Sequence, residues 1–208
     1  MGKILGYGED ALTLWAMRNC ITDVLRRFRD ETPPSDCVVF YRPSFGRRGG
    51  SKSTEFGEFD AIVASSKNVY LIESKWDNLA NAENRRIVLK KEQKLRHELF
   101  AWYLTHWSKK YSSNWRKFIE EQEDNFKTSF KDRKKGIPKT DSILAVNLQY
   151  VLKVLQSRCK SLSKQNVKNV LVFFSKEKTR PSVKPDPSFH IINISYGGDV
   201  AGNFITVG

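Results

Sequence analysis

Three residues in the first half of the chain have the types and spacing needed for metal-assisted cleavage of a phosphodiester bond. Asp60 lies in a strand-like run at residues 58–64, and Glu73 and Lys75 close a second run at 68–75. The short linker between the runs favours a tight antiparallel turn. Because residues two apart on a strand share a face, Glu73 and Lys75 point the same way. We expect Asp60 and Glu73 to hold a divalent cation against a phosphate, while Lys75 stabilises charge or orients a water molecule.

A second interpretation is that these charges are ordinary strand-end residues, since charged side chains often end strands. The neighbouring sequence favours the first interpretation. Residues 61–64 and 69–72 are nearly continuous apolar runs, which is typical of strands covered on both faces. Ionisable groups at the end of such buried strands are costly without partners, and a metal ion or a phosphate is a suitable partner.

The elements that would position these residues are indicated by the periodicity of apolar side chains. Helical spacing is found at residues 9–28, 83–108 and 141–159. The expected strands are at 37–41, 58–64, 68–75, 167–174, 189–194 and 204–207. The order is helix, three strands, long helix, helical insertion, and then two or three further strands. We therefore predict a mixed sheet with helices packed against it.

The chain carries an excess of positive charge. Lys and Arg number 36 against 23 Asp and Glu, which gives a formal net charge of +13. Nucleic acid is the leading partner because binding releases counterions from its phosphates, while an anionic membrane surface or simple solubility would also account for the charge. The segment 42–57 contains Arg47, Arg48 and Lys52 and has no acidic residue before Glu55. We expect these three cations to contact DNA phosphates, the alternative being a solvated basic loop.

The remaining composition argues against several protein classes. The three cysteines are far apart and have no histidine at zinc-ligand spacing, so a disulfide framework or a structural zinc site is not expected. No apolar run is long enough to cross a bilayer, and the first residues lack a signal-peptide pattern. We expect a cytoplasmic protein with reduced cysteines and no membrane partner. Trp102, Trp107 and Trp115 are expected to pack in the core, the alternative being stacking on bases.

The order of elements and the position of the acids resemble the PD-(D/E)XK nuclease superfamily, the fold of restriction endonucleases and archaeal Holliday-junction resolvases. The blocks GEDA at 8–11, GEFD at 57–60 and LIESK at 71–75 look closest to resolvase-like and Mrr-like members. The likeness covers residues 6–107 and, more weakly, 167–174. It implies an α/β fold with a restriction-endonuclease-like mixed β-sheet core, flanked by helices in αβββαβ order. Residues 1–208 would form a single domain, in which a helical insertion at 108–166 is a candidate specificity or dimerisation element.

The resemblance also implies a role for each site residue. Asp60, as the acid of the second strand, and Glu73, as the acid of the third, would bind the metal ion, which is Mg²⁺ with Mn²⁺ as a substitute. Lys75 would support the attacking water or the transition state. The main-chain carbonyl of Ser74 would complete the coordination. Glu9 matches the first-helix glutamate that many members carry.

Several positions stay open. Phe59 stands where the family name has proline, at a position that touches no metal ion. Asp10 could take the role of Glu9, and either acid could instead be favoured in the first turn of the helix by its dipole. Glu58 and Gln93 are candidates for contacts just outside the metal ligands. For both, the alternative is a solvated side chain.

The function that follows from the resemblance is a metal-dependent DNA endonuclease that hydrolyses phosphodiester bonds. It would be either restriction-type or structure-selective, and would act on double-stranded or branched DNA. The alternative is a nuclease fold that binds nucleic acid, or assembles with partners, without catalysis. A homodimer is a plausible form, because cutting both strands is most simply done by two sites related by a two-fold axis.

Overall fold

The computed structural model is a mixed α/β structure in which helices flank a five-stranded sheet. It describes residues 4–45, 57–76, 89–133, 136–159, 162–175, 187–196, 200–201 and 204–207. Within these ranges, no helix combines the length and the apolar character that a membrane span requires. Arg47, Arg48 and Lys52, the expected phosphate contacts, lie outside the described residues.

The described residues form five α-helices and eight strands. The helices are α1 (Gly8–Asn19), α2 (Ile21–Arg27), α3 (Lys91–His106), α4 (Trp115–Ser129) and α5 (Ile143–Arg158). The strands are β1 (Leu5–Tyr7), β2 (Val38–Tyr41), β3 (Ala61–Ala64), β4 (Val69–Trp76), β5 (Val167–Ser175), β6 (His190–Ser195), β7 (Val200–Ala201) and β8 (Phe204–Thr206).

The central sheet has the strand order β2-β3-β4-β5-β6. The pairs β2–β3 and β3–β4 are antiparallel, whereas the pairs β4–β5 and β5–β6 are parallel. Parallel neighbours need a long crossover, and α3, α4 and α5 all lie in the crossover from β4 to β5. The predicted mixed α/β sheet with flanking helices is confirmed. Of the predicted acids, Asp60 directly precedes β3 and Glu73 lies on β4.

Alternation along β4 divides the core into two layers. Tyr70 and Ile72 belong to a buried cluster that includes side chains of α1 and α2. Val69 and Leu71 belong to a second cluster, with side chains of α3, α4 and α5. Because side chains alternate along a strand, Glu73 continues the second row and Ser74 the first. On β4, the Glu73 side chain therefore faces α3 and the Ser74 side chain faces α1.

Aromatic side chains tie the region 108–166 to the rest of the core. The three tryptophans predicted to lie in the core are 7%, 4% and 2% exposed, which confirms that prediction. They pack in the same cluster as Phe59 and Ile62 from the sheet side. The other buried aromatic residues of this cluster are Phe45, Phe100, Tyr103, Tyr111, Phe118 and Phe126. The helices of the crossover therefore share one apolar core with the sheet.

A buried carboxylate fixes the turn of the β3–β4 hairpin. Oδ2 of Asp30 accepts hydrogen bonds from Ser65 Oγ at 2.5 Å, Tyr70 OH at 2.7 Å and Asn68 Nδ2 at 3.0 Å. Burial alone would raise the pKa of Asp30, but these hydrogen bonds outweigh burial and lower it well below its usual range. The hairpin that carries the predicted acids is thus anchored at the end opposite to them.

Several elements differ from the sequence prediction. The helix expected at 83–108 is α3, which begins at Lys91, and the strand expected at 58–64 is β3, which begins at Ala61. The helix expected at 9–28 is two helices, α1 and α2, separated at Cys20, whose N–H donates to Ala16 O at 2.7 Å. In addition, β1 was not predicted, and it pairs antiparallel with β8 in a small three-stranded sheet. Since α1 begins at Gly8, directly after β1, and Gly8 has φ +72°, this small sheet fixes where Glu9 lies.

Candidate active site

The β3–β4 hairpin brings the two predicted acids together at one end of the sheet. In the antiparallel register Ala61 pairs with Ile72, so Asp60, just before β3, lies beside Glu73. Asp60 Oδ2 accepts a hydrogen bond from the Ser74 N–H at 2.7 Å. The two carboxylates therefore come from adjacent strands, as the sequence predicts.

Helix α1 adds a third carboxylate at the end of β4. Glu9 Oε2 accepts a hydrogen bond from the Trp76 N–H at 2.9 Å, and Glu9 Oε1 lies 3.6 Å from Lys75 Nζ. Lys75 Nζ also donates to the carbonyl oxygen of Ser74 at 2.6 Å. On the other face, Thr13 Oγ1 donates to the Ser74 hydroxyl at 2.8 Å. Glu9, Lys75 and the Ser74 carbonyl thus lie together at the end of β4.

Three side chains of helix α3 contact Glu73. Gln93 Nε2 donates to Glu73 Oε2 at 2.7 Å. Arg96 Nη2 donates to Glu73 Oε1, and His97 Nε2 lies 3.2 Å from the same oxygen. Positions 93, 96 and 97 have the i, i+3, i+4 spacing of one helix face. Gln93 therefore contacts a predicted metal ligand, and its orientation is set by its Oε1, which accepts from the Lys90 N–H at 3.0 Å.

Arg96 and His97 were missed by the sequence reasoning. The signal that could have found them is their spacing from Gln93, since three hydrogen-bonding side chains on one face of a helix can converge on one group. The sequence of α3 concealed this signal because it is rich in Lys and Glu, which are usually solvated.

His97 is buried, and both of its ring nitrogens face polar side chains. Asn169 Nδ2 donates to Ser188 O at 3.2 Å, so its Oδ1 is the atom that faces His97 Nδ1, at 2.9 Å. His97 Nδ1 thus faces an amide oxygen, and His97 Nε2 faces Glu73 Oε1 at 3.2 Å. The ring packs 5.0 Å from Phe59 and 4.6 Å from Phe189, measured between ring centroids.

The environment of Asp60 makes its charge costly. Burial and the nearby negative charge of Glu73 raise the pKa of Asp60 to about 7. Glu9 adds to this repulsion, while the Ser74 N–H and Lys75 oppose it without cancelling it. A cation bound between these carboxylates would remove the repulsion.

Glu73 is shifted in the opposite direction. Burial raises the pKa of Glu73, since its side chain is only 2% exposed. The hydrogen bond from His97 and the charge of Arg96 outweigh burial, so the net effect lowers the pKa. Glu73 is therefore ionised, and the charge of Arg96 compensates it, whereas the groups around Asp60 do not compensate a negative charge there.

Asp10 and Glu58 both contact Arg42, which lies beside the candidate site. The guanidinium of Arg42 donates to Asp10 Oδ2 and to Glu58 Oε1. The Arg42 N–H donates to the carbonyl oxygen of Asp60 at 3.1 Å, which places this group next to the hairpin acids. Tyr41 OH also donates to the Asp10 carbonyl at 2.8 Å. Both acids thus have a basic partner in the structure.

The donor set fits a hard divalent cation in its chemistry. Carboxylate oxygens of Asp60, Glu73 and Glu9, with the carbonyl oxygen of Ser74, are the ligands that Mg²⁺ and Mn²⁺ prefer. Among the described residues, however, no group of three or more His, Cys, Asp or Glu side chains is arranged as a metal site. The Glu73 oxygens accept from α3, and the Ser74 carbonyl accepts from Lys75. A cation would have to compete with these donors.

Comparisons with known proteins add no relative. A scan against protein-family models finds no match, and searches of curated proteins and of solved structures likewise find none. The resemblance to the PD-(D/E)XK superfamily therefore stays a prediction, which rests on the sequence blocks and the arrangement of the site.

Proposed function

We propose that the protein is a metal-dependent DNA endonuclease that hydrolyses phosphodiester bonds with Mg²⁺, or with Mn²⁺ in its place. The observation that carries this proposal is the meeting of Asp60, Glu73, Glu9 and Lys75 at one end of the central sheet. The raised pKa of Asp60 supports it, because a carboxyl pKa displaced by burial and a specific neighbouring charge is typical of functional sites. The mixed sheet agrees with a restriction-endonuclease-like fold of αβββαβ order.

Each residue has a distinct part in this proposal. Asp60, Glu73 and Glu9, with the Ser74 carbonyl, would hold the metal ion, which when bound supplies the charge that activates water and stabilises the phosphate. Lys75 is 32% exposed, so its ammonium group can reach a DNA phosphate from beside the carboxylates. Thr13 holds the Ser74 side chain on the opposite face, which keeps the Ser74 backbone in place at the site.

DNA is the proposed substrate because the chain carries a net charge of +13, while Asp60, Glu73 and Glu9 lie at one end of the central sheet. The positive field attracts the phosphate backbone, and phosphate contacts position DNA without reading its sequence. Arg47, Arg48 and Lys52 remain the proposed contacts of this kind. A double-stranded cut would follow from a homodimer with two such sites.

Metal-dependent cleavage of supercoiled plasmid tests the proposal. We expect nicked or linear product with Mg²⁺ or Mn²⁺ and none with EDTA. Asp60→Ala and Lys75→Ala should abolish cleavage while DNA binding persists. Asp23→Asn removes an exposed carboxylate on α2 and serves as the matched control, with cleavage unchanged. Cleavage that persists in EDTA, or in Asp60→Ala, would count against the proposed site.

A second candidate is a nuclease fold that binds nucleic acid, or assembles with partners, without cutting it. The observation that favours it is the ion pair between Arg96 and Glu73, because a cation supplied by the protein already compensates this acid. This candidate predicts retention of labelled DNA in a gel-shift assay and no product with either metal ion. The endonuclease predicts both binding and product.

The two kinds of nuclease within the main proposal differ in substrate. A restriction-type enzyme cuts linear duplex at fixed sequences, whereas a structure-selective enzyme cuts four-way junctions or flaps. Comparing product from these three substrates at equal protein concentration separates the two kinds. Sequencing of the product ends would then show whether the cuts share a sequence or a structural position.

A further inference from the structure

Arg96 is held against the candidate site by more than its ion pair. Its Nη2 donates to Glu73 Oε1, and its side chain is only 13% exposed. The guanidinium lies over the ring of Phe59, with Cζ 5.2 Å from the ring centroid. Such stacking favours a fixed guanidinium over a mobile one. The positive charge is therefore fixed at the site.

The space for the guanidinium depends on Gly57. A Cβ at this position would lie 3.0 Å from Arg96 Nη1, and Gly57 has φ +79°, which side-chain-bearing residues rarely adopt. On its other side, Arg96 Nε is buried and has no hydrogen-bond partner in the described part of the chain. The hydrogen bond that the structure gives this guanidinium is thus directed to Glu73.

This arrangement conflicts with metal binding at Glu73. Oε1 of Glu73 accepts from Arg96 and contacts His97, while Oε2 accepts from Gln93. Gln93 is neutral, but arginine keeps its charge at every pH at which proteins are folded. A divalent cation that binds Glu73 must either displace the guanidinium or stand close to a like charge. Both alternatives weaken metal binding.

We propose that Arg96 is the counter-ion of Glu73 in the metal-free protein, and that its competition with the divalent ion sets the metal concentration at which the site fills. This inference rests on the proposed function, because it takes Glu73 as a metal ligand. Arg96 is accordingly a positioning residue that acts through Glu73. In the absence of metal it keeps a buried carboxylate paired, and it makes the site respond only to high metal concentration.

Calorimetric titration with Mn²⁺ alone, at fixed pH and without DNA, tests this inference. We expect Arg96→Gln to bind Mn²⁺ at least about tenfold more tightly than wild type, given the strength of hydrogen bonds to charged groups. Arg96→Met, which keeps the apolar stem on Phe59, should do the same. Arg96→Lys keeps the charge, so its affinity for Mn²⁺ should lie between that of these two variants and that of wild type. Lys91→Gln removes an exposed charge from the same helix and should bind within about twofold of wild type.

The outcomes separate this inference from the proposed function. Thermal unfolding first shows which Arg96 variants are folded. One folded variant, Arg96→Gln or Arg96→Met, is enough for the comparison of Mn²⁺ binding with wild type. Unchanged or weaker Mn²⁺ binding in a folded variant, with binding by wild type, overturns the role of Arg96 and leaves the endonuclease standing. Absence of Mn²⁺ binding in wild type and in every variant removes the metal site and this inference with it. Tighter binding without cleavage of any DNA supports the role of Arg96 and overturns the endonuclease.

Discussion

Replacing Asp60 by Asn should stabilise the protein in a manner that depends on pH. Burial and the charge of Glu73 raise the pKa of Asp60 from 3.8 to about 7. The folded protein therefore binds a proton at Asp60 more tightly than the unfolded chain does. The resulting stabilisation is complete below pH 3.8 and is lost as the pH rises towards 7 and above. The substituted amide would not ionise, and its oxygen can still accept from the Ser74 N–H.

The size of the effect follows from the two pKa values. Each unit of difference corresponds to about 1.4 kcal/mol, so the shift makes the ionised Asp60 cost roughly 4 kcal/mol of folding free energy at pH 8. The same relation gives roughly 1.5 to 2 kcal/mol at pH 5, where the folded state is still protonated. We therefore expect the stability advantage of Asp60→Asn over wild type to widen by roughly 2 to 3 kcal/mol from pH 5 to pH 8.

Urea unfolding at several pH values measures this difference directly. The control is Asp23→Asn, which removes an exposed carboxylate and should give a nearly constant difference from wild type. Mn²⁺ should stabilise wild type at pH 8 and have a much smaller effect on Asp60→Asn, because the neutral side chain carries no negative charge for the cation to compensate. A difference between wild type and Asp60→Asn that does not change with pH would refute the electrostatic account of this site.

Three further substitutions test the scaffold by urea unfolding. Asp30→Ala should cost about 3 kcal/mol, since it leaves buried donors of the hairpin turn unpaired, and a loss below about 1 kcal/mol would contradict that role. Phe118→Ala should cost about 3 to 5 kcal/mol, because Phe118 is 0% exposed in the aromatic cluster, and a near-neutral result would mean that this region is not part of the core. Gly57→Ala should cost about 1 kcal/mol or more through its positive φ, and a stabilised variant would contradict the cost assigned to this backbone conformation.

The sequence predicts the hairpin well because its signals are local. Two apolar runs joined by a short polar linker fix β3 and β4, and alternation then assigns the faces of Glu73 and Ser74. The break at Cys20 could not be predicted, because neither glycine nor proline marks it. The pairing of β1 with β8 joins segments from the two ends of the chain, and short strands carry little periodicity.

Only the part of the candidate site that depends on local sequence signals could be predicted. Asp60 and Glu73 are found from one hairpin, but the contacts of Arg96 and His97 with Glu73 need the docking of α3 on the sheet. That docking depends on packing among aromatic side chains from α3 and α4, which no local pattern encodes. Solvated basic residues and site residues look alike on such a helix until its buried face is known.

Cleavage by Glu73→Gln is the most direct test of the proposed endonuclease. The substitution keeps the shape of the side chain and removes the charge that would bind the metal ion. Wild type and Glu73→Gln are incubated with supercoiled plasmid and Mg²⁺, and binding to the same plasmid is measured in EDTA. We predict cleavage by wild type, loss of cleavage by at least about a hundredfold in Glu73→Gln, and similar DNA binding by both. Undiminished Mg²⁺-dependent cleavage by purified Glu73→Gln would contradict the proposed site.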